Sequence, residues 1–161
     1  MRTRVLFLGL LAACAPLAQA ADPPPNYAAF FLGTTPAYRP PGGPWSGFQH
    51  DLTVLGGYGR FVSPKVALEL DLGPTLVRGD YASFALVPGV VWAFHPHVYA
   101  AARFIVPVDP ETSFVLFPGA GVIYTFKDRF SPLVEVNLLS NVGEGDPDLG
   151  IAVTVGVLVS F

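Results

Sequence analysis

The last eleven residues of the chain, Ile151 to Phe161, alternate between two kinds of side chain. Large apolar residues occupy the odd positions, and small or mildly polar residues occupy most of the even positions. An alternation with a period of two is the pattern of a β-strand that has two unlike faces. The chain is therefore predicted to end in a long strand with one continuous apolar face.

The composition limits the folds in which such a strand can lie. Hydrophobic residues make up 52% of the 161-residue chain, and the mean hydropathy is +0.50. After the N-terminal region, no apolar run reaches the roughly 18 residues that a membrane-spanning helix needs. Within lipid, only helices and closed β-barrels satisfy all their backbone hydrogen-bonding groups. Two interpretations remain: a membrane barrel with its apolar face toward lipid, and a soluble β-protein with that face inside.

The N-terminal region has the layout of an export signal. Arg2 and Arg4 precede the short apolar run Val5–Ala13, and small residues lead up to Ala20. This layout predicts a secretory signal peptide that is cleaved after Ala20. The residues that end at Cys14 also resemble a lipoprotein box, so lipidation of Cys14 is an alternative, although it would leave an unusually short signal. The predicted division is signal peptide 1–20, spacer 21–25 and folded domain 26–161.

Gly, Pro and Asp residues divide the folded domain into eight predicted strands, and no segment has a sustained helical period. Most strands have about ten residues or more, which at ~3.3 Å per residue and ~40° tilt span roughly 25 Å, the height of a membrane barrel's apolar band. The predicted fold class is all-β, an eight-stranded antiparallel up-and-down transmembrane β-barrel. The predicted strands are Asn26–Gly33, Gln49–Phe61, Val66–Val77, Tyr81–Phe94, Val98–Val108, Ser113–Phe126, Leu133–Asn141 and Leu149–Phe161.

Three connections share a pattern: each follows a phenylalanine, contains a proline and leads into an apolar strand. These phenylalanines and the last residue recur at similar spacings, which indicates a repeat of one up-and-down strand pair. Bacterial barrels place tight turns on the periplasmic side, and aromatic residues collect at the membrane interface. Both chain ends are therefore predicted to lie in the periplasm. The predicted periplasmic aromatic girdle is Phe61, Phe94, Phe126 and Phe161.

Charged residues within the predicted strands fall opposite the apolar faces. In the third strand, for example, Glu69 and Asp71 alternate with leucines. A charge that faced lipid near the midplane would cost on the order of 2–4 kcal/mol for arginine and less for the acids. The lumen of an eight-stranded barrel is only wide enough for side chains to fill. The charges are therefore predicted to form a lumenal ion-pair network that plugs the barrel, with the members Arg60, Glu69, Asp71, Arg103 and Glu135.

An export signal, eight strands and the closing segment Gly156–Phe161 together resemble the small outer-membrane proteins of the OmpA/OmpX type. The resemblance implies an outer-membrane location, contact with outer-membrane lipids, and a last strand that the barrel-assembly machinery recognises. This family includes anchors, adhesins, narrow pores and enzymes, so the resemblance does not choose a role. The implied assembly signal is Val153, Val155, Val157, Val159 and Phe161.

The sequence contains no convincing chemical site. Nine Lys and Arg residues stand against twelve Asp and Glu residues without forming a basic patch, which argues against nucleic-acid binding. The neighbours His50 and Asp51 have no clear serine companion, and His95 and His97 flank a proline without further metal ligands. No catalytic residue, metal site or cofactor is predicted.

Any binding is predicted to lie in the loops, which vary freely on a rigid scaffold. The long loop Thr34–Phe48 is the best candidate, through Tyr38, Trp45 and Phe48, and its ligand is not predicted. The predicted function is that of a non-enzymatic, monomeric outer-membrane barrel with a structural or surface-interaction role. The alternatives are a narrow pore that prefers cations, because inward acids outnumber inward arginines, and a soluble periplasmic barrel of the lipocalin type.

Overall fold

A computed structural model describes residues 26–108, 115–126, 129–141 and 148–161 of the protein. The predicted signal peptide with Cys14 and Ala20, the predicted spacer, and the start of the predicted sixth strand at Ser113 lie outside the described residues. No helix in the described ranges is long and apolar enough to cross a membrane. The strands are β1 (Asn26–Arg39), β2 (Asp51–Ser63), β3 (Val66–Val77), β4 (Asp80–His95), β5 (Val98–Pro107), β6 (Val115–Ile123), β7 (Phe130–Asn141) and β8 (Leu149–Ser160).

The eight strands form one closed barrel in which each strand pairs antiparallel with its neighbour in sequence. The barrel closes where β1 pairs with β8, in a register that opposes Ala28 to Val159 and Leu32 to Val155. Closure removes the two unpaired sheet edges that an open sheet would leave. The predicted eight-stranded antiparallel up-and-down barrel is confirmed.

The two ends of the barrel differ in how the strands are connected. At one end, Asn26 and Phe161 exchange backbone hydrogen bonds of 3.1 and 2.9 Å, and residues 64–65 and 96–97 form tight turns. We call this end the chain-end rim. The opposite end carries the long connection 40–50 between β1 and β2. We call it the loop rim.

Strand β1 is longer than the sequence predicted, because it continues beyond Gly33 to Arg39. A register shift between Thr34 and Ala37 accommodates Pro36, and pairing with β8 then resumes at Ala37. A bulge of this kind lets a strand pass a proline, which lacks the N–H that a regular ladder requires. The connection between β1 and β2 therefore begins after Arg39, whereas the predicted loop began at Thr34.

Strand β6 is shorter than predicted and β7 begins earlier. β6 ends at Ile123 instead of Phe126, and β7 starts at Phe130 instead of Leu133. Phe126 and Phe130 instead form an isolated antiparallel bridge that closes the connection between the strands. Because both residues are apolar, the sequence pattern does not show where β6 ends and where the turn begins.

The barrel carries its apolar residues on the outside. In β3, Leu68, Leu70 and Leu72 are exposed, whereas the intervening Glu69 and Asp71 are buried. The same alternation holds in β7 and β8, as predicted. A soluble barrel would place these leucines and valines inside, because a surface with so large an apolar area is unfavourable in water. This orientation suits a hydrocarbon environment.

The half of the lumen near the chain-end rim is filled by apolar and aromatic side chains. Their bulk is accommodated by glycine at the facing positions of neighbouring strands. A Cβ atom at Gly59 would lie only 1.9 Å from the Tyr27 ring, and one at Gly121 only 2.5 Å from the Tyr99 ring. The buried core cluster is Tyr27, Ala29, Phe31, Ala67, Tyr99, Ala101 and Leu133.

The two faces of β2 are reversed relative to the prediction. Arg60 is exposed on the outer surface, and Phe61 packs inward, with its ring centroid 5.8 Å from that of Tyr27. The reason is that Gly57 and Gly59 must face inward to leave room for Asp71 and Tyr27, and Phe61 shares their face. The predictions that Arg60 joins the lumenal network and that Phe61 joins the outer girdle are therefore wrong.

Candidate functional site

The interior charges come from three alternate strands of the barrel. Glu69 and Asp71 point inward from β3, Arg103 from β5 and Glu135 from β7, and all four are almost fully buried. Between β3 and β5, the facing position on β4 is Gly89, which opposes both Glu69 and Arg103. A Cβ atom at Gly89 would lie 2.5 Å from Cγ of Arg103, so the absence of a side chain there lets the arginine lie against the wall.

Arg103 connects two of the three acids by direct hydrogen bonds. Its Nε donates to Oε1 of Glu69 at 2.8 Å, and its Nη1 donates to Oε1 of Glu135 at 2.6 Å. Its Nη2 also lies 2.8 Å from Oε1 of Glu69. The guanidinium carbon stands 5.7 Å from the ring centroid of Phe31, within the range of a cation–π contact. We call the group Glu69, Asp71, Arg103 and Glu135 the septum.

The acids of the septum differ in how completely they are paired. Glu69 is fully engaged, because its Oε2 also accepts a 2.9 Å hydrogen bond from the Tyr27 hydroxyl. In contrast, Asp71 approaches Arg103 only at 3.8 Å, and neither of its oxygens accepts a hydrogen bond from a described residue. Glu135 also interacts with the buried hydroxyl of Tyr99. The septum thus brings three carboxylates to one guanidinium.

The septum separates the lumen into two chambers. The chamber toward the chain-end rim encloses about 60 Å³ and has mainly apolar walls that include Phe61, Val91 and Leu158. The chamber toward the loop rim is larger, about 230 Å³, and has Asp71 and Glu135 in its wall. Arg103 contributes to the walls of both chambers. We call them the inner chamber and the outer chamber.

Polar side chains surround the outer chamber close to the loop rim. Asp51 accepts hydrogen bonds from the Thr35 amide at 2.8 Å, the Thr35 hydroxyl at 2.7 Å and the Thr34 hydroxyl at 3.2 Å. The hydroxyls of Thr53 and Thr75 lie 3.0 Å apart on neighbouring strands. Asp51 is therefore held by the protein itself, unlike Asp71 deeper in the chamber.

The predicted loop residues are only partly in a loop. Tyr38 belongs to β1 and forms a bridge with Ser46, so the prediction that it lies in the loop is wrong. Trp45 and Phe48 are in the connection and are half-exposed. Phe48 packs edge-on against His50, with the ring centroids 5.1 Å apart. The connection between β1 and β2 thus folds back on itself as an extension of the barrel wall.

Of the four phenylalanines that were predicted to form a girdle, all except Phe61 lie on the outer surface at the chain-end rim. Phe94, Phe126 and Phe161 are exposed on the outer surface, and Trp92 packs beside Phe94 with ring centroids 5.4 Å apart. Tyr58 occupies the outward position on β2 in place of Phe61. In β8, the proposed assembly residues form the outer face, on which Val155, Val159 and Phe161 are exposed and Val153 and Val157 are partly covered.

The sequence reasoning missed Tyr27, which completes the pairing of Glu69. Both faces of β1 are apolar, so alternation alone did not show which one turns inward. The phenolic hydroxyl was the available signal, because a tyrosine in an apolar strand needs a hydrogen-bond partner when it is buried. Asn137 is buried on the same inward face of β7 as Glu135, and its side-chain amide donates to the Thr154 hydroxyl at 3.4 Å.

Among the described residues, no group of three or more His, Cys, Asp or Glu side chains is arranged to hold a metal ion. The two histidines of the turn between β4 and β5 lie beside each other, with ring centroids 5.9 Å apart, and His97 stacks on Tyr124. They are exposed at the chain-end rim. The arrangement is that of a solvated aromatic cluster.

Comparison with solved structures identifies proteins that share the fold of this chain. No protein-family model matches the chain, and no curated protein matches it. The N-terminal β-barrel domain of Pseudomonas aeruginosa OprF superposes with a TM-score of 0.61 at 15% identity, over 86% of this chain and 98% of that one. The chain has the fold of an eight-stranded transmembrane β-barrel.

Two designed proteins share that fold. A de novo designed transmembrane β-barrel superposes with a TM-score of 0.59 at 18% identity, covering 89% of this chain and all of that one. The designed barrel TMB2.3, solved by solution NMR, has a TM-score of 0.51 at 14% identity, over 85% of this chain and 94% of that one. At these identities the similarity concerns the backbone fold. The structural resemblance to small outer-membrane barrels that the sequence suggested is thereby confirmed.

Proposed function

We propose that the protein is a non-catalytic barrel of the bacterial outer membrane, with a lumen closed by the septum and a structural or surface-interaction role. The observation that carries the proposal is the combination of an apolar outer surface with a charged interior that the septum closes. Leu70 on the outer face of β3 is half-exposed, whereas its neighbour Asp71 is completely buried. Such a distribution is favourable when hydrocarbon surrounds the barrel.

The orientation follows from the connections. We assign the chain-end rim to the periplasm, because the long connection 40–50 lies at the opposite end and bacterial barrels place their longer loops outside. The connection 40–50, with the half-exposed Trp45 and Phe48, then faces outward and is the candidate region for binding a surface partner. Export by the predicted signal peptide, with cleavage after Ala20, and recognition of β8 by the barrel-assembly machinery complete the proposal.

The outer-membrane location can be tested by gel mobility of membrane fractions with and without boiling. We expect the band in the outer-membrane fraction to migrate differently when unheated, because a closed barrel resists unfolding by detergent. A matched sample of the urea-unfolded protein should show a single mobility. An unchanged band in a soluble fraction would contradict the proposal.

A narrow cation-preferring pore is the second candidate, since three acids and one arginine face the lumen at the septum. An ion that crossed the barrel would have to pass the contacts of Arg103 and then an inner chamber of about 60 Å³. Planar-bilayer recording on the refolded protein separates the two. We expect no stable steps, whereas reproducible cation-selective steps would establish the pore.

A further inference from the structure

We propose that the outer chamber is a binding site for a small organic cation with an apolar body, such as an aromatic amidinium or ammonium. The proposal concerns the chamber alone. It goes beyond the scaffold role and does not depend on the membrane in which the barrel resides. Three features carry it: the shape of the chamber, the unpaired carboxylate of Asp71 at its floor and the chemistry of its walls.

The chamber has the size of a site for a small ligand. It encloses about 230 Å³ between the septum and the loop rim, slightly below the roughly 300–1,000 Å³ of sites for drug-sized molecules. The septum closes its deep end, so the chamber is a blind pocket rather than a section of a channel. Its apolar wall residues include Phe31, Leu55, Val87, Ile105, Val115 and Phe117.

The floor presents carboxylate oxygens that the protein does not pair. Asp71 is completely buried, yet neither of its oxygens accepts a hydrogen bond from a described residue. A buried carboxylate without hydrogen bonds is unfavourable, and native structures rarely leave such groups unpaired. Donors that also carry positive charge would form the strongest hydrogen bonds to these oxygens.

The excess of negative charge at the septum favours a positively charged ligand. Arg103 is the cation that contacts the septum acids, and its strongest contacts are to Glu69 and Glu135. Asp71 remains at 3.8 Å from it. An additional positive charge next to Asp71 would bring the septum closer to neutrality in a medium of low dielectric constant, where charge pairing is strong.

The side chains that line the outer chamber favour an organic cation over a metal ion. Calcium takes about 6–8 oxygen ligands and magnesium requires a near-octahedral oxygen shell. No metal-binding group of acids or histidines occurs in the ranges that the structure describes, and the side walls above Asp71 are mainly aliphatic and aromatic. An amidinium or ammonium on an apolar ring satisfies both parts of the site, with its N–H groups at the floor and its ring against the walls.

Polar groups at the loop rim suit the approach of a cation. The carboxylate of Asp51 stands at the edge of the chamber with the threonine hydroxyls that hold it. Because its oxygens are already occupied, Asp51 would act through its charge, by raising the local concentration of cations at the mouth. Binding should therefore weaken as salt concentration rises.

The test uses the whole refolded barrel in a zwitterionic detergent and benzamidinium as the probe, followed by NMR chemical shifts or calorimetry. We expect saturable binding of benzamidinium, with neutral benzamide of nearly the same shape binding roughly tenfold or more weakly, since only the charged probe pairs with Asp71. Equal binding of the two probes would overturn the proposal, and so would the absence of saturable binding.

Two pairs of variants locate the site. Asp71→Asn should weaken benzamidinium binding by roughly tenfold or more, whereas Asp80→Asn, an identical change at an exposed residue of the loop rim, should leave it unchanged. Ala85→Leu should block the outer chamber, whereas Ala93→Leu on the same face of β4 fills only the inner chamber. Equal effects within either pair would assign the binding to the surface or the detergent and overturn the proposal.

Discussion

Arg103 donates hydrogen bonds to carboxylates on two other strands, Glu69 of β3 and Glu135 of β7. In a buried cluster of this kind the net gain of the ion pairs is small, because desolvation offsets much of the attraction between the charges. Removal of one partner is a different matter, since it leaves an uncompensated charge in a medium of low dielectric constant. Single residues of the septum should therefore have large effects on stability.

Replacement of the central arginine tests this expectation. Arg103→Ala should lower the free energy of unfolding by about 3–5 kcal/mol, because Glu69 and Glu135 lose their common partner. Urea titration of the barrel refolded in phospholipid, followed by tryptophan fluorescence, measures the change. Arg60→Ala is the matched control: this arginine is exposed on the outer surface, and we expect a change close to zero. A change of equal size in both variants would contradict the lumenal role of Arg103.

Inward-facing glycines provide a second test at this scale. Gly59→Ala should destabilise the barrel by about 1–3 kcal/mol, because the new methyl group would overlap the buried Tyr27 ring. Gly56→Ala on the same strand is the control, since a Cβ atom there meets no other atom within 4 Å. The two unfolding curves, measured under identical conditions, give the difference. Equal stability of the two variants would show that Tyr27 moves aside without cost.

At the scale of strands, the alternation of apolar and polar residues was sufficient to predict which face turns inward where one face is clearly polar. β3, β7 and β8 have the predicted faces outward and inward. The faces of β2 were predicted wrongly because both are largely apolar and its two charges, Asp51 and Arg60, lie near the ends of the strand. There an outward arginine reaches water easily, since its long aliphatic stem lets the charged group extend to the interface. What decides the orientation of β2 is space for Tyr27 and Asp71, which lie on other strands.

A charge placed on the outer face of β3 tests the environment of the strands. Leu70→Arg should lower the free energy of unfolding in phospholipid by about 2–4 kcal/mol, because Leu70 lies near the middle of the strand and faces outward. Leu76→Arg, on the same face at the loop-rim end of the strand, should cost only about 0–1 kcal/mol. Reversible urea unfolding in the same lipid measures both. Equal costs would indicate that water surrounds the whole strand.

At the scale of the whole molecule, the pairing of β1 with β8 turns a meander of strands into a barrel. This contact joins the first and the last strand over the register from Tyr27 to Arg39. All eight strands then share one lumen, and side chains from strands distant in sequence meet in it. The septum, whose members lie on β3, β5 and β7 with one strand between each, exists only because the barrel is closed.

Closure can be tested by a disulfide across the seam. Leu32→Cys with Val155→Cys should form a disulfide under mild oxidation, because these residues are direct partners in the register of β1 and β8. The Cα atoms of such partners fall within the range of roughly 4.4–6.8 Å that a disulfide needs. Leu32→Cys with Val159→Cys, on the same face but out of register, is the control. Mobility on a non-reducing gel after boiling reports the cross-link, and equal yields from the two pairs would contradict the register.

The sequence by itself determined the number of strands, their antiparallel order and the faces of those strands in which charges alternate with apolar residues. These properties are local, since each depends on a period of two residues and on the turns between neighbours. Only the tertiary structure decided that β2 turns Phe61 inward, that Arg103 binds Glu69 and Glu135, and that Asp71 is left facing the outer chamber. These depend on contacts between side chains of different strands inside the lumen. Such contacts are set by the volume and charge of the side chains and do not appear as a period in the sequence.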